Sequence, residues 1–260
     1  MQISKHVKHI PLLVLLTLVV SCSHENQKTA KDKDAENSLV ISNELSNKHV
    51  TAMVEDSRGY IWIGTFRGLN RYDGHEYHQY FCTDDSEGLQ DNQIKSLFVD
   101  SKDRLWVGTI NGPCLYMAND QFQRVSIPKG SKNCLKFLED RNGRVFIYNN
   151  NELLLYDEAD KQFKIVISNL DKKKQFTGNV FLDEMGDIWS VGASYICKYS
   201  GSDFKLKKTI QLAGYYFFSH LNNDGTIILS GYGQLLAYNT HNNQFSTINE
   251  ALLKGITENG

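Results

Sequence analysis

None of the five cysteines, Cys22, Cys82, Cys114, Cys134 and Cys197, forms a C-x-x-C pair. A zinc ribbon or a thioredoxin-like redox centre therefore has no support. The four beyond Cys22 are spread along the chain rather than set in a small-domain framework, so buried free thiols are expected. Net charge is only −2, which leaves no electrostatic footprint for nucleic acid. No apolar stretch reaches the roughly 20 residues that a membrane-crossing helix needs. No P-loop, G-x-S-x-G or H-E-x-x-H is present, nor a phosphoacceptor-histidine helix or a glycine-rich kinase box. Gly231-Tyr232-Gly233 opens no helix, so it is no nucleotide fingerprint. Prolines number only three against nineteen glycines. That balance suits short strands joined by tight turns.

What the chain does contain is a repeat. Gly59 anchors the first copy, and Asp103, Gly143, Gly186 and Gly225 follow at steps of 44, 40, 43 and 39 residues. Three residues before each anchor stands Asp56, Asp100, Asp140, Asp183 or Asn222. Three residues after it stands Trp62, Trp106, Phe146, Trp189 or Ile228. Thirteen residues after it there is always a tyrosine: Tyr72, Tyr116, Tyr156, Tyr199 and Tyr238. A further aromatic comes five to seven residues later, at Tyr77, Phe122, Phe163, Phe204 or Phe245. Each copy holds short β-branched and aromatic runs closed by Gly/Asp turns, which predicts strands and excludes helix. A unit of this length with four strands is the size of a propeller blade. Its second strand, such as Leu105-Trp106-Val107, is apolar throughout, as a strand covered on both faces should be. Gly64, Gly108 and Gly192 follow such runs and mark close backbone approach.

The fold expected is an all-β propeller of four-stranded blades, with about five blades present and the ring either closed or incomplete. Glu55-Asp56, Trp62-Ile63-Gly64-Thr65, Gly68-Leu69 and Arg71-Tyr72-Asp73-Gly74 resemble the two-component regulator propeller repeat. Val99-Asp100 and Leu105-Trp106-Val107-Gly108-Thr109 carry it in the second copy. Copies three and five depart from it, with Phe146-Ile147-Tyr148-Asn149 and Ile228-Leu229-Ser230-Gly231. The resemblance covers about residues 45–250. It implies the periplasmic sensor of a hybrid two-component system of Bacteroides-type bacteria. Such sensors bind oligosaccharides and drive a cytoplasmic histidine kinase with a DNA-binding output. It also implies more blades than five, as in a fragment of a longer sensor. The partners implied are an oligosaccharide ligand, the remaining sensor or kinase modules and the membrane.

Blades are expected near 45–82, 89–127, 133–168, 176–210 and 214–248, within a propeller region of 39–260. Leu39-Val40-Ile41 could pair with the last blade and lock the ring. Residues 1–22 read as a signal peptide: Lys5 and Lys8 precede the apolar run Ile10–Val20, which meets Ser21-Cys22. Val19-Val20-Ser21-Cys22 resembles a lipobox, which would lipidate Cys22. The alternatives are an ordinary signal peptide and an uncleaved anchor. Residues 23–38 are charged and lack aromatics, valine and isoleucine, so they read as a solvated tether. An exported, periplasmic or lipid-anchored protein is expected.

The turn between the first two strands has the same chemistry in every copy and is structural. The loop between the second and third strands differs in every copy. If the first strand is innermost, these loops share one end with the segments leading into each blade. Arg67, Asn111, Asn150, Tyr195 and Tyr232 there offer donors and stacking surfaces for a sugar. The rival explanation is that loops vary because nothing constrains them. His75 and His78 would point to opposite faces of a wet outer strand, and 83–88 lacks the ligand spacing of a calcium loop, so no metal site and no cofactor is expected. An enzymatic propeller would need paired carboxylates or a metal cluster at the channel, and no such set can be assembled. The remaining alternative is a stand-alone lipoprotein propeller for protein–protein contact.

Overall fold

The computed structural model describes residues 39–83, 88–117, 119–149, 152–168, 170, 179–232 and 234–247. Every regular element among them is a strand. Blade one holds β1 (Leu39–Ser42), β2 (Val50–Glu55), β3 (Ile61–Thr65), β4 (Gly68–Tyr72) and β5 (Tyr77–Tyr80). Blade two is β6 (Ile94–Val99), β7 (Leu105–Thr109), β8 (Pro113–Met117) and β9 (Gln121–Arg124). Blade three is β10 (Lys136–Glu139), β11 (Val145–Tyr148), β12 (Leu153–Asp157) and β13 (Gln162–Ile167). Blade four is β14 (Asn179–Leu182), β15 (Ile188–Val191), β16 (Tyr195–Tyr199) and β17 (Leu206–Gln211). Blade five is β18 (Tyr216–Leu221), β19 (Thr226–Gly231), β20 (Gln234–Asn239) and β21 (Phe245–Thr247).

Each blade is a four-stranded antiparallel meander in chain order, to which β1 adds a fifth strand beside β5 in blade one. The first strands touch from blade to blade, β2 with β6, β6 with β10, β10 with β14 and β14 with β18, so they are innermost. Among the described residues β18 and β2 make no packing comparable to these contacts, and no sheet joins blades five and one. The core is four slabs, one between each pair of neighbouring blades. That explains the non-alternating second strands: every residue of β7, β11 and β15 is buried. In β19, the second strand of the last described blade, residues Thr226–Ser230 alternate between half-buried and buried.

β1 corrects one expectation. It pairs antiparallel with β5 of its own blade, Leu39 opposite Tyr80, rather than with the last blade. The reason is local. Gln79 Nε2 donates to Glu44 O at 2.6 Å, and Asn70 Oδ1 accepts from Ser46 N at 2.8 Å. These bonds strap residues 43–49 across blade one and leave β1 on its outer edge.

Gly108 shows why the repeat needs its strand glycine. A Cβ there would lie 2.7 Å from Cys134 O, where the chain leads into blade three. Cys114, Cys134 and Cys197 are buried free thiols, as expected from the sequence, and Cys82 is half-buried. Burial pushes the Cys114 and Cys134 thiols up to about 12, which keeps them protonated and unreactive.

Candidate functional site

The hairpin end of the propeller is built five times from one device. All five anchors, Gly59, Asp103, Gly143, Gly186 and Gly225, adopt positive φ. In each, the anchor N–H closes a tight turn on the carbonyl three residues back, as Asp103 does on Asp100 O at 2.9 Å. The acid at that position is the hub. Asp100 Oδ1 accepts from Lys102 N at 3.0 Å and Arg104 N at 2.9 Å. Its Oδ2 accepts from Trp106 Nε1 at 2.8 Å and Arg104 Nε at 2.6 Å. Burial pushes this carboxyl up, but the indole, amide and guanidinium donors outweigh it and hold it below its ordinary value. Asp56 and Asp183 bind Trp62 and Trp189 the same way, at 3.0 and 2.8 Å. Asp140 has no indole to accept from, because Phe146 stands in that place, but it keeps the guanidinium bond, from Arg144 Nε at 2.6 Å.

The indoles then carry the hub to the neighbouring blade. Trp62 meets the edge of Tyr116 at 4.7 Å, Trp106 meets Tyr156 at 4.8 Å, and Trp189 meets Tyr238 at 5.9 Å. Each aromatic at the second repeat position faces forward, and each repeat tyrosine faces back. The spacing that defines the repeat is therefore a contact code between blades.

The other end is different. The loops between second and third strands hydrogen-bond to the segment leading into the next blade: Gly68 N donates to Asn92 O at 2.7 Å, and Leu212 N donates to Ser194 O at 2.8 Å. Their backbones are structural, while several side chains point outward. Arg67 is exposed. Asn111 is exposed and its Nδ2 donates to Asp91 Oδ2 at 2.7 Å. Tyr232 is 82% exposed and meets the ring of Phe217 edge-on at 4.7 Å. Tyr195 is not on this rim. It opens β16, is buried, and donates its hydroxyl to Leu170 O at 3.0 Å. Gly192 makes room for its ring, since a Cβ there would fall 2.6 Å away. Asn150 and Cys22 lie outside the described residues, as do 84–87 of the acidic loop.

The rim also holds aromatics that spacing alone did not single out. Phe66 stacks flat on His49 at 4.8 Å, with Lys95 Nζ 5.7 Å from its ring. Tyr215 and Phe217 are exposed beside the lead-in to blade five. For Phe66 and Tyr215 the signal was an aromatic in a loop where glycine and polar residues suffice, whereas Phe217 lies within β18.

Two other features lie at the hairpin end. A cleft of about 440 Å³ runs between the turns of blades three, four and five, lined by Glu139, Glu184, Lys198, Asn222 and His241 among others. His78 sits with Asp73 and Glu76, its Nε2 3.7 and 3.6 Å from their carboxylates. β5 is covered by β1 and begins at Tyr77, so His75 lies in the turn. The wet outer strand expected from the sequence is corrected accordingly: His78 is mostly buried.

Comparison with known proteins agrees with this architecture. Virginiamycin B lyase from Staphylococcus aureus superposes with a TM-score of 0.62 at 12% identity, covering 81% of this chain and 73% of that one. The extracellular domain of the putative hybrid two component system BT3049 from B. thetaiotaomicron gives 0.61 at 16% identity, covering 80% of this chain and 31% of that one. A streptogramin B lyase gives 0.59 at 15% identity, covering 81% and 72%. Identities this low establish the propeller fold and nothing finer. No curated protein matches the chain. No helix among the described residues is long and apolar enough to cross a membrane. Residues 44–67 and 88–111 match the family described as two component regulator propeller. These two matched segments contain the Asp56–Trp62 and Asp100–Trp106 hubs of blades one and two.

Proposed function

We propose that the chain is an extracytoplasmic sensing module that binds an oligosaccharide at its lead-in rim. The signal would pass to a histidine kinase carried by further modules. The observation that carries this reading is the exposed aromatic surface of the rim, Phe66 on His49 and Tyr232 on Phe217, which the blade junctions do not use. Flat rings on a rim that also carries Arg67 and Asn111 suit the apolar faces and hydroxyl edges of a sugar. The family matches in blades one and two support the signalling half of the reading. The neighbour BT3049 is an extracellular domain, which supports the location. Export through residues 1–22, with a lipid on Cys22, belongs to the same proposal. Mass spectrometry of the mature N-terminus should find Cys22 first and lipidated. An intact Met1, or an unlipidated N-terminus beyond Cys22, would contradict it.

The lyase neighbours share the fold but give no reaction to this chain at 12% and 15% identity. The sensing reading is tested by calorimetric titration with a panel of polysaccharide-derived oligosaccharides. Phe66→Ala and Tyr232→Ala should each weaken binding by about tenfold, since one stacked ring contributes on the order of 1 kcal/mol or more. Binding that neither substitution alters would move the site elsewhere, with the hairpin-end cleft the next candidate.

A further inference from the structure

The turn that joins the third and fourth strands is built alike in blades one and three, but a different residue faces it. In blade three, Asp157 follows the repeat tyrosine, and its Oδ1 accepts from Ala159 N at 2.9 Å and Asp160 N at 3.0 Å. In blade one, Asp73 follows Tyr72, and its Oδ1 accepts from His75 N at 2.8 Å and Glu76 N at 3.0 Å. Each turn therefore sets a second carboxylate, Asp160 or Glu76, three residues after the first. The residue facing the two carboxylates comes from the fourth strand. It is Lys164 in blade three, paired with Leu155, and His78 in blade one, paired with Arg71. Leu155 and Arg71 each stand directly before the repeat tyrosine, so Lys164 and His78 hold corresponding positions.

In blade three an ammonium fills the space between the carboxylates. Lys164 Nζ reaches Asp157 Oδ2 at 2.7 Å and also binds Asp160. In blade one His78 does not reach so far. Its Nε2 stops 3.7 Å from Asp73 Oδ2 and 3.6 Å from Glu76 Oε1, beyond hydrogen-bond distance. His78 Nδ1 is buried and has no partner among the described residues. An imidazole only 16% exposed thus faces two carboxylates without a hydrogen bond to either. The three ligand atoms all lie within 4.8 Å of one another. Ligand atoms around a tetrahedral zinc ion, with bonds of about 2.0–2.2 Å, stand about 3.3–3.6 Å apart. The separations at His78 therefore fit a bridging cation better than direct contact. Arg71, the cation paired across from His78, is engaged by Asp120 Oδ1 at 2.8 Å.

We propose that Asp73, Glu76 and His78 form a binding site for a divalent transition-metal cation, with zinc the best fit. One nitrogen and two oxygens make a borderline donor set, which such ions accept and which calcium and magnesium do not favour. Two carboxylates balance the charge of the ion. The metal takes the place that the Lys164 ammonium takes in blade three, and it ties the turn to β5 at the hairpin end. Three protein ligands leave a fourth position for water or an outside group. The set differs from the His75–His78 pair considered in the sequence, because His75 lies in the turn and Glu76 supplies the third ligand. This inference is independent of the sugar-binding reading.

The test is calorimetric titration of the untagged, metal-stripped full chain with zinc chloride, followed by thermal unfolding with and without the ion. One zinc per chain should bind in the micromolar range. At about a hundredfold excess over Kd it should raise the melting temperature by several degrees. Glu76→Gln keeps the size of a half-buried side chain and should weaken zinc binding by about tenfold or more. His78→Lys copies the arrangement of blade three. It should abolish zinc binding and keep the melting temperature of the metal-free wild type. A chain with no saturable zinc binding overturns the proposal. So does binding that survives either substitution, or zinc that equimolar calcium or magnesium displaces.

Discussion

The hairpin end and the lead-in end of this propeller are made from the same four strands, yet they use their side chains in opposite ways. At the hairpin end, Asp56, Asp100, Asp140 and Asp183 each fold a turn around one carboxylate. Three of them also fix the indole that packs on the next blade. At the lead-in end, only the backbone of each loop is committed to the neighbouring blade, and Phe66, Tyr215, Phe217 and Tyr232 are left exposed. Repetition marks where the fold constrains the residue. Variation marks where the fold leaves it available.

Removing an indole should break the comparison most severely. Trp106 is fully buried between blades two and three, so Trp106→Ala should cost about 3–5 kcal/mol by cavity formation. Chemical denaturation measures it, and a loss below about 1 kcal/mol would place the ring outside the core. Gly108→Ala should cost less, roughly 1–3 kcal/mol, because Ser96 and the Cys134 carbonyl must move to admit the methyl group. A neutral result would mean that the strands separate easily there. The smallest effect is that of pH. Asp100 titrates below its ordinary value when folded, so its contribution is complete above about pH 4 and is lost as pH falls through the lower folded value. Acid unfolding of Asp100→Asn should therefore show a shallower loss of stability than that of the wild type.

The sequence made the hairpin end legible and the lead-in end only partly so. Positive φ was readable from Gly59 and its counterparts, Asp103 included, because few residue types tolerate it. The bond from Trp106 to Asp100 was implicit in their constant spacing, although spacing alone does not reveal that the acid is buried. Tyr195 was misplaced because a tyrosine after Gly192-Ala193-Ser194 reads equally well as loop or strand. Only the room above Gly192 turns it inward. The pairing of β1 with β5 was hidden for a similar reason. It depends on Gln79 and Asn70 capturing backbone from residues 44 and 46, and no periodicity encodes such bonds.

The most direct test of this division of labour is thermal unfolding of Asp100→Asn beside Tyr232→Ala. Asp100→Asn sets an amide against buried indole and backbone donors, a loss of about 1–3 kcal/mol. The hub variant should melt lower by roughly 2–4 °C for each kcal/mol lost. Tyr232→Ala should melt within about a degree of the wild type, since exposed positions change stability by less than ~0.5 kcal/mol. Equal losses in both variants, or a loss confined to Tyr232→Ala, would contradict the account.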